Sequence, residues 1–472
     1  MKKYELSKIL GITFIIGVLL TWLIPTGQFS EEGFKIAATN PLGFIDLFRT
    51  PLNTFANFIH YAMAFLAIGG LYGVMGKTGV YSIIVDKIVK KFKTKKENFL
   101  ILTSIIFILL SSVLGVNLLI FTIVPFFATI LLLLGYNKLT SLVVTVGAML
   151  TGGLGATYSN SINTSLRYFL NVSINNEIVT RLIFLVIISF VFIMFVLNST
   201  KKEKDDEVKK EEVKIPLYTK NVKKDRNAWP LIIVCGFAFI LLTLGMFDWA
   251  FSFDIDFFKN MHESIMGLET NGYPFVANII GAINAFGNWS MYDLTILLMI
   301  LTVVIAWIYS LKVKDVIDAF VDGAKEMLPV AFYVTMANIL FSLIYFGQSG
   351  VDIFNTISNF LLGITEKFNM ITMSLTSIIG SFFYNDFIQY SNVLGTVVGS
   401  IYNNTIIYPK IALILQFMYG LTMFVAPTSI LLIAGLSYFG ISYKEWLKHI
   451  WKYLVKVFAI VLVVLIIVMM FV

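Results

Sequence analysis

Cysteine is nearly absent: Cys235 is the only one in 472 residues. No disulfide can form within the chain, so cysteine usage says nothing of redox compartment. Histidine is almost as scarce. His60, His262 and His449 stand far apart, form no group with metal-ligand spacing, and are read as residues of membrane edges or loops. Charge is thin too. Asp, Glu, Lys and Arg make up 13% of the chain, about half of what a soluble domain of average composition carries. A soluble globular protein is therefore excluded. No GxxxxGK[ST] phosphate loop occurs, which speaks against ATP-driven transport by this chain alone. No cofactor is implied. The net charge of +7 resides in short loops, a pattern of membrane topology and not of nucleic-acid binding.

What the chain has in abundance is apolar length. Hydrophobic residues are 58% and aromatics 15%, and stretches of about 20 apolar residues recur, each long enough to cross a hydrocarbon core of roughly 30 Å. Backbone polar groups cannot stay unpaired in lipid, so these stretches must be helices. Single crossings are read at 8–25, 55–76, 181–198, 230–250, 291–310, 328–347 and 453–472. Two longer apolar regions, 98–165 and 369–438, are broken by polar, Gly and Pro residues. Lys2-Lys3 before the apolar run 9–24 imitates a signal peptide. However, there is no small-residue cleavage site and Pro25-Thr26-Gly27 ends the run, so it is read as an uncleaved first helix.

Lys and Arg set the expected orientation. Lys2, Lys3 and Lys8 put the N-terminus in the cytoplasm, together with the loop from Lys87 to Lys96 and the charged linker Lys201–Arg226, read as a mobile connection. The 251–290 loop, with Asp254, Asp256, Glu263 and Glu269 against a lone Lys259, is placed outside. Lys312, Lys314 and Lys325 return inside, as do Lys444, Lys448 and Lys452.

The two halves echo each other. Gly-Lys-Thr-Gly-Val at Gly76 and Gly-Gln-Ser-Gly-Val at Gly347 lie 271 residues apart. The same offset carries Gly155-Ala156-Thr157 onto Ala426-Pro427-Thr428 and the helix 181–198 onto 452–469. Asp46-Leu47-Phe48 and Asp318-Ala319-Phe320 match at 272, each on an amphipathic stretch before the next helix. By the charge rule the matched pieces run in opposite directions, and the extra helix 230–250 supplies the change of parity. The expected fold is an all-α polytopic membrane protein with two inverted-topology repeats, a plan typical of secondary transporters. Its parts are a first repeat 1–198, a charged cytoplasmic linker 199–229, a connecting helix 230–250, an extracytoplasmic loop 251–290 and a second repeat 291–472.

The interrupted regions hold the candidate site. Residues 98–134 leave and regain the inner side past Ser111, Ser112, Gly115 and Asn117. Two full crossings or a re-entrant hairpin both fit; the hairpin is preferred, because polar backbone at membrane depth is tolerated where it lines a cavity. The matching region 369–402 has Asn385, Asp386, Ser391 and Asn392 at its middle. The next segment of each half is a broken helix, with Thr157, Ser159, Asn160, Ser161 and Asn163 at one break and Pro427, Thr428 and Ser429 at the other. A half-helix exposes N–H groups that attract carboxylates at one end and carbonyls that bind sodium or protons at the other. These residues are the candidate substrate and ion site, with Na+ or H+ as coupling ion. Ser, Thr and Gly also pack helices without other function, and each residue is weighed against that. Asp386 is the one acid deep in an apolar segment, where an acid faces a cavity, a partner or a proton path.

Gly69-Gly70 through Gly79, the Gly135-Tyr136 turn, and Ala426-Pro427-Thr428-Ser429 through Gly440-Ile441-Ser442-Tyr443-Lys444-Glu445-Trp446-Leu447-Lys448 resemble the YfcC-like branch of the four-carbon dicarboxylate anaerobic carriers, in the ion transporter superfamily. The resemblance runs along nearly the whole chain. It implies carriers of dicarboxylates or basic amino acids, including arginine–ornithine exchange, with paired hairpins and unwound helices at the site, and it allows a homodimer. Relatives carry an acidic pair in the first hairpin; here the stretch reads Leu114-Gly115-Val116-Asn117-Leu118-Leu119.

The expected function is alternating-access transport of a small carboxylate-bearing metabolite across a bacterial cytoplasmic membrane. Lys77, Lys138 and Arg167 lie toward the edges, leaving the expected core without fixed positive charge, and Asp386 suits an amine. Amino acids are therefore favoured over dicarboxylates. An intramembrane enzyme would need clustered acids or histidines, and a channel would not need paired, unlike sites.

Overall fold

The structure is a computed structural model that describes residues 5–30, 33–115, 118–173, 175–203, 215–223, 225–345, 352–365, 367–402 and 405–470. Asn117, the Gly347–Val351 landmark, Glu366 and the linker's 204–214 lie outside the described residues. Among those described, nine helices are long and apolar enough to cross a bilayer, from Glu5–Leu23 at one end to Tyr443–Met469 at the other. The crossings read from the sequence fall on these helices, most with boundaries moved by a few residues; the helices that hold 328–347 and 453–472 begin well earlier, at Val313 and Tyr443. The chain is a multi-pass membrane protein.

The centre is a tight crossing of two helices, Ile59–Thr78 and Val313–Met336. Glycines make it possible. A Cβ on Gly69 would run into the carbonyl oxygen of Gly323, one on Gly73 into that of Ala319, and one on Gly323 into that of Gly69. In lipid there is little hydrophobic drive between helices, so close van der Waals packing at small residues holds them instead. Lys96–Leu114 meets Ala148–Leu154 in the same way, with Gly152 facing the Ile108 carbonyl.

Element boundaries recur along the chain. Tyr81–Phe92 has its counterpart in Ile353–Leu362, Lys96–Leu114 in Met370–Phe383, and Asn160–Leu170 in Ile430–Phe439. Each later element begins 270 to 274 residues after the earlier one, close to the offset found in the sequence.

Four features depart from the sequence reading. Asp318 does not lie on a separate amphipathic stretch but within the continuous helix Val313–Met336, which runs through Pro329. Gly27–Ser30 and Gly33–Ile36 form a small antiparallel hairpin, bridged by Gly27 to Asp352. The 251–290 loop carries the short helices Phe257–Met266 and Phe275–Ile280. The far end of the linker is not loose but a strap along one face. Leu217 N–H donates to Glu326 at 2.7 Å, Asn221 N–H to the Ser82 hydroxyl at 3.1 Å, and Arg226 to the Thr78 carbonyl at 3.0 Å. Helix ends expose carbonyls, and Arg226 satisfies one of them.

Candidate functional site

Both broken helices are present, and their freed carbonyls decide how they are held. The first break separates Ala148–Leu154 from Asn160–Leu170. Gln416 reaches in from the other half and donates to the carbonyls of Leu154 at 3.3 Å and Ala156 at 2.8 Å. Ser112, near the tip of the first interrupted region, donates to Gly155 O at 3.0 Å and shares a hydrogen bond with the Thr157 hydroxyl at 3.0 Å. Thr157 N–H returns to the Ser112 carbonyl at 3.0 Å. Asn163 folds back to the Thr157 carbonyl at 2.9 Å. Gly115 takes a left-handed turn (φ +87°), and a Cβ there would sit 2.7 Å from the Ser159 hydroxyl.

The second break separates Tyr408–Met423 from Ile430–Phe439. Trp446 Nε1–H donates to Phe424 O at 2.9 Å, and the Tyr443 hydroxyl donates to Val425 O. This gives the stretch following Gly440 its structural role: it caps the end of a broken helix. Thr428, 271 residues after Thr157, donates from its hydroxyl to Phe382 O at 3.0 Å. Asn385 is 6% exposed, and its amide faces Thr428 O at 3.0 Å, Asn338 Oδ1 at 3.1 Å and Ala337 O at 3.3 Å. The Tyr419 hydroxyl donates to Asn385 O at 2.8 Å. Each interrupted region is thus pinned at its middle to the break that follows it.

The pinned pieces surround a cavity of about 340 Å³. Its wall takes Leu118 from the first interrupted region and Asn385, Asp386, Phe387 and Ile388 from the second. Ser161 and Ile162 come from one broken helix, and Ser429, Ile430 and Leu431 from the other. Tyr419 and Met423 close one side; His60, Tyr61, Met246 and the Ser290–Tyr292 stretch close the rest. Met246, Met291 and Ile59 are all helix ends, so the cavity lies toward the side that bears the 247–290 segment.

Asp386 is half-buried. One oxygen accepts from Ile388 N–H at 3.0 Å and Gln389 N–H at 3.1 Å, capping the Phe387–Ile401 helix. The other accepts no hydrogen bond from the described residues, so it is free for whatever enters. The helices that begin at Asn160 and Ile430 have serine N-caps, Ser159 and Ser429, that make no side-chain capping bond, so neither cap hydroxyl covers a first-turn N–H group.

Four of the residues singled out in the sequence line the cavity: Ser161, Asn385, Asp386 and Ser429. Ser112, Thr157, Asn163 and Thr428 build the pins behind it, and Ser159 is buried with its hydroxyl 3.3 Å from that of Ser161. Ser111 donates to the Gly115 carbonyl at 3.3 Å. Ser391 bonds back to Phe387 O at 2.7 Å, the packing use of a membrane serine. Asn392 lies on the Phe387–Ile401 helix away from the cavity wall, Asn160 opens the Asn160–Leu170 helix, and Asn117 is outside the described residues.

Two residues correct the sequence reading. His60 is not merely interfacial: it lines the cavity with its ring 5.6 Å from that of Tyr292. The core also has a fixed cation. Arg181, 1% exposed, donates to Asn163 Oδ1 at 2.9 Å. In sequence it is an ordinary basic residue near a helix end; a buried asparagine a helix away was the missing signal.

A helical membrane protein whose polar groups gather around a metabolite-sized chamber is, by class, a transporter. The comparison of sequences gives the family. The C4-dicarboxylate anaerobic carrier (DcuC) family matches residues 6–470, and the chain belongs to that family. It is a carrier of a small molecule across a lipid bilayer and not an enzyme. No curated protein matches the chain. Among solved structures, the YdaH transporter of Alcanivorax borkumensis, reported to have an unusual topology, is similar at 12% identity over 99% of this chain and 98% of its own, with a TM-score of 0.37.

Proposed function

We propose that the chain is a secondary carrier that moves a C4-dicarboxylate across a bacterial cytoplasmic membrane by alternating access, with Asp386 as a proton-coupling residue. The observation behind this is the convergence of two interrupted regions and two broken helices on one cavity, with Asp386 the one acid among the described residues that line it. The recurring element boundaries support two repeats. Their opposite directions and the cytoplasmic N-terminus follow from the Lys and Arg distribution. Met370–Phe383 has 14 residues and Phe387–Ile401 has 15. At 1.5 Å per residue these are about 21 and 23 Å long, short of a full crossing, which supports a re-entrant hairpin.

A dicarboxylate needs donors and positive potential. The uncapped first turns starting at Asn160 and Ile430 supply donors, and Arg181 supplies charge. Asp386 opposes such a substrate while ionised and accepts it once protonated, which ties substrate entry to a proton. Proton coupling is favoured over sodium because the carbonyls of Leu154, Gly155, Ala156, Thr157, Phe424, Val425 and Thr428 already accept hydrogen bonds from the protein.

One observation favours a second reading. An ionised Asp386 opposite a carboxylate pole suits a substrate with both an amine and a carboxylate, such as a basic amino acid in arginine–ornithine exchange. Proteoliposomes preloaded with succinate or arginine separate the two. The first reading expects succinate counterflow with pH-dependent net uptake, and Asp386→Asn that still exchanges but has lost the pH dependence. Arginine counterflow alone, abolished in Asp386→Asn, establishes the second. Flux of neither refutes both substrate choices.

A further inference from the structure

Arg181 is a buried charged group with no ion-pair partner among the described residues; the Glu177 carboxylate acts on its charge only through space. It sits in the first turn of the Ile178–Glu203 helix, its guanidinium is buried, and its Nε has no hydrogen-bond acceptor. Its acceptor is an uncharged one, Asn163 Oδ1. Glu177, one turn away, accepts from the Thr180 hydroxyl at 2.8 Å, and no carboxylate of the described residues forms an ion pair with Arg181. Burying a guanidinium in this way is costly, and its charge is felt by its surroundings at low dielectric.

Those surroundings are the start of a broken helix. Asn163 is the fourth residue of Asn160–Leu170. Its side-chain Oδ1 accepts a hydrogen bond from the Arg181 guanidinium, and its amide nitrogen donates to Thr157 O across the break. The guanidinium is therefore held against the first turn of a helix whose N-cap makes no capping bond and whose Ser161 and Ile162 face the cavity. The partial positive charge of a helix N-terminus and the full charge of Arg181 have the same sign and act at the same place.

We propose that Arg181 sets the carboxylate-binding pole of the transport cavity, acting through Asn163 on the first turn of Asn160–Leu170. It is a positioning residue that does not reach the cavity wall. The proposal rests on the reading of this cavity as the transport site, and it makes the cavity bipolar, with Asp386 at the other pole.

The test reads potential without needing the substrate. Cys235, half-buried, is first removed as Cys235→Ser. Ser161→Cys then places a thiol in the cavity wall, and its reaction rates with the anionic sulfonatoethyl and the cationic trimethylammonioethyl methanethiosulfonates are compared. Arg181→Gln is expected to lower the anionic rate and raise the cationic rate at least tenfold each, and so to lower their ratio about a hundredfold or more, the effect of one unit charge acting with opposite sign on the two reagents across roughly 10 Å at an effective dielectric of about 20. Arg181→Lys keeps the ratio. Asn163→Asp, which neutralises the guanidinium where it stands, lowers it as well and serves if Arg181→Gln does not fold. In transport, Arg181→Gln raises KM for the carried carboxylate about tenfold with little change in maximal rate. A ratio unchanged in both Arg181→Gln and Asn163→Asp overturns the proposal, whatever happens to flux. A ratio that behaves as expected while neither succinate nor arginine is carried leaves Arg181 in its role and refutes the substrate reading instead.

Discussion

Asn385 offers the sharpest test of how the cavity is built. Its amide donates toward Thr428 O, Asn338 Oδ1 and Ala337 O, tying the middle of the second interrupted region to the second break and to the end of the central Val313–Met336 helix. Asn385→Ala removes these bonds and leaves acceptors on Thr428 and Asn338, both 1% exposed, with nothing to replace the donor. Side-chain hydrogen bonds between membrane helices average about 0.6 kcal/mol, so two of them account for about 1 kcal/mol. A buried acceptor left without a partner adds about 1–3 kcal/mol. The expected cost is about 2 kcal/mol. Thermal unfolding of the purified protein in detergent reads this as a fall in Tm of a few degrees. Counterflow in proteoliposomes is expected to fall at least tenfold, because the same residue lines the cavity. The design becomes specific with Asn338→Ala. If the two amides bond to each other, the double variant costs less than the sum of the single ones, by about 0.5–1 kcal/mol. Additive costs, or a single Asn385→Ala variant with unchanged Tm and flux, would refute the pinned-tip account.

Other expectations follow from single contacts. Gly115→Ala pushes a methyl against the Ser159 hydroxyl at a positive φ, so transport drops, and adding Ser159→Gly restores part of it. Gly323→Leu drives a side chain into the Gly69 carbonyl at the central crossing, and size-exclusion chromatography is expected to show no monodisperse protein. Glu326→Ala frees the Leu217 end of the strap, so trypsin cuts at Lys220, Lys223 and Arg226 several-fold faster while Tm barely moves. The ion pair of Lys77 with Asp315 spans 3.2 Å, but the side chains are 45% and 43% exposed. Lys77→Ala is therefore expected to change stability by less than about 1 kcal/mol, measured as a Tm within a degree of the parent.

The breaks were readable because they disobey helix rules in plain view. Gly152-Gly153 with Gly155, and Pro427 behind Ala426, interrupt long apolar runs at matching places, and Asp386 stands out as an acid where lipid depth forbids one. What joins them was not readable. Gln416 looks like any polar residue in an apolar helix, yet it closes the first break from the opposite half. Arg181 and His60 sit near helix ends, where the sequence suggests a boundary residue, and only the packing of distant helices turns one inward and the other toward the cavity. The small hairpin at Gly27–Ser30 and Gly33–Ile36 has strands of four residues, too short for an alternating pattern to show. The linker read as mobile because its composition is charged; its described residues 215–223 and 225–226 are instead held by hydrogen bonds and ring contacts with partners far away in sequence.

The hydrogen bonds of Gln416 have a consequence for how the molecule comes into being. While the first half alone has left the ribosome, the Leu154 and Ala156 carbonyls have no donor from Gln416, and the first break stands incomplete in the bilayer. It is finished only when a residue made some 260 positions later arrives. Chains truncated before Gln416 are therefore expected to be recognised by membrane quality control as unfinished, even though every helix of their first half has already been inserted.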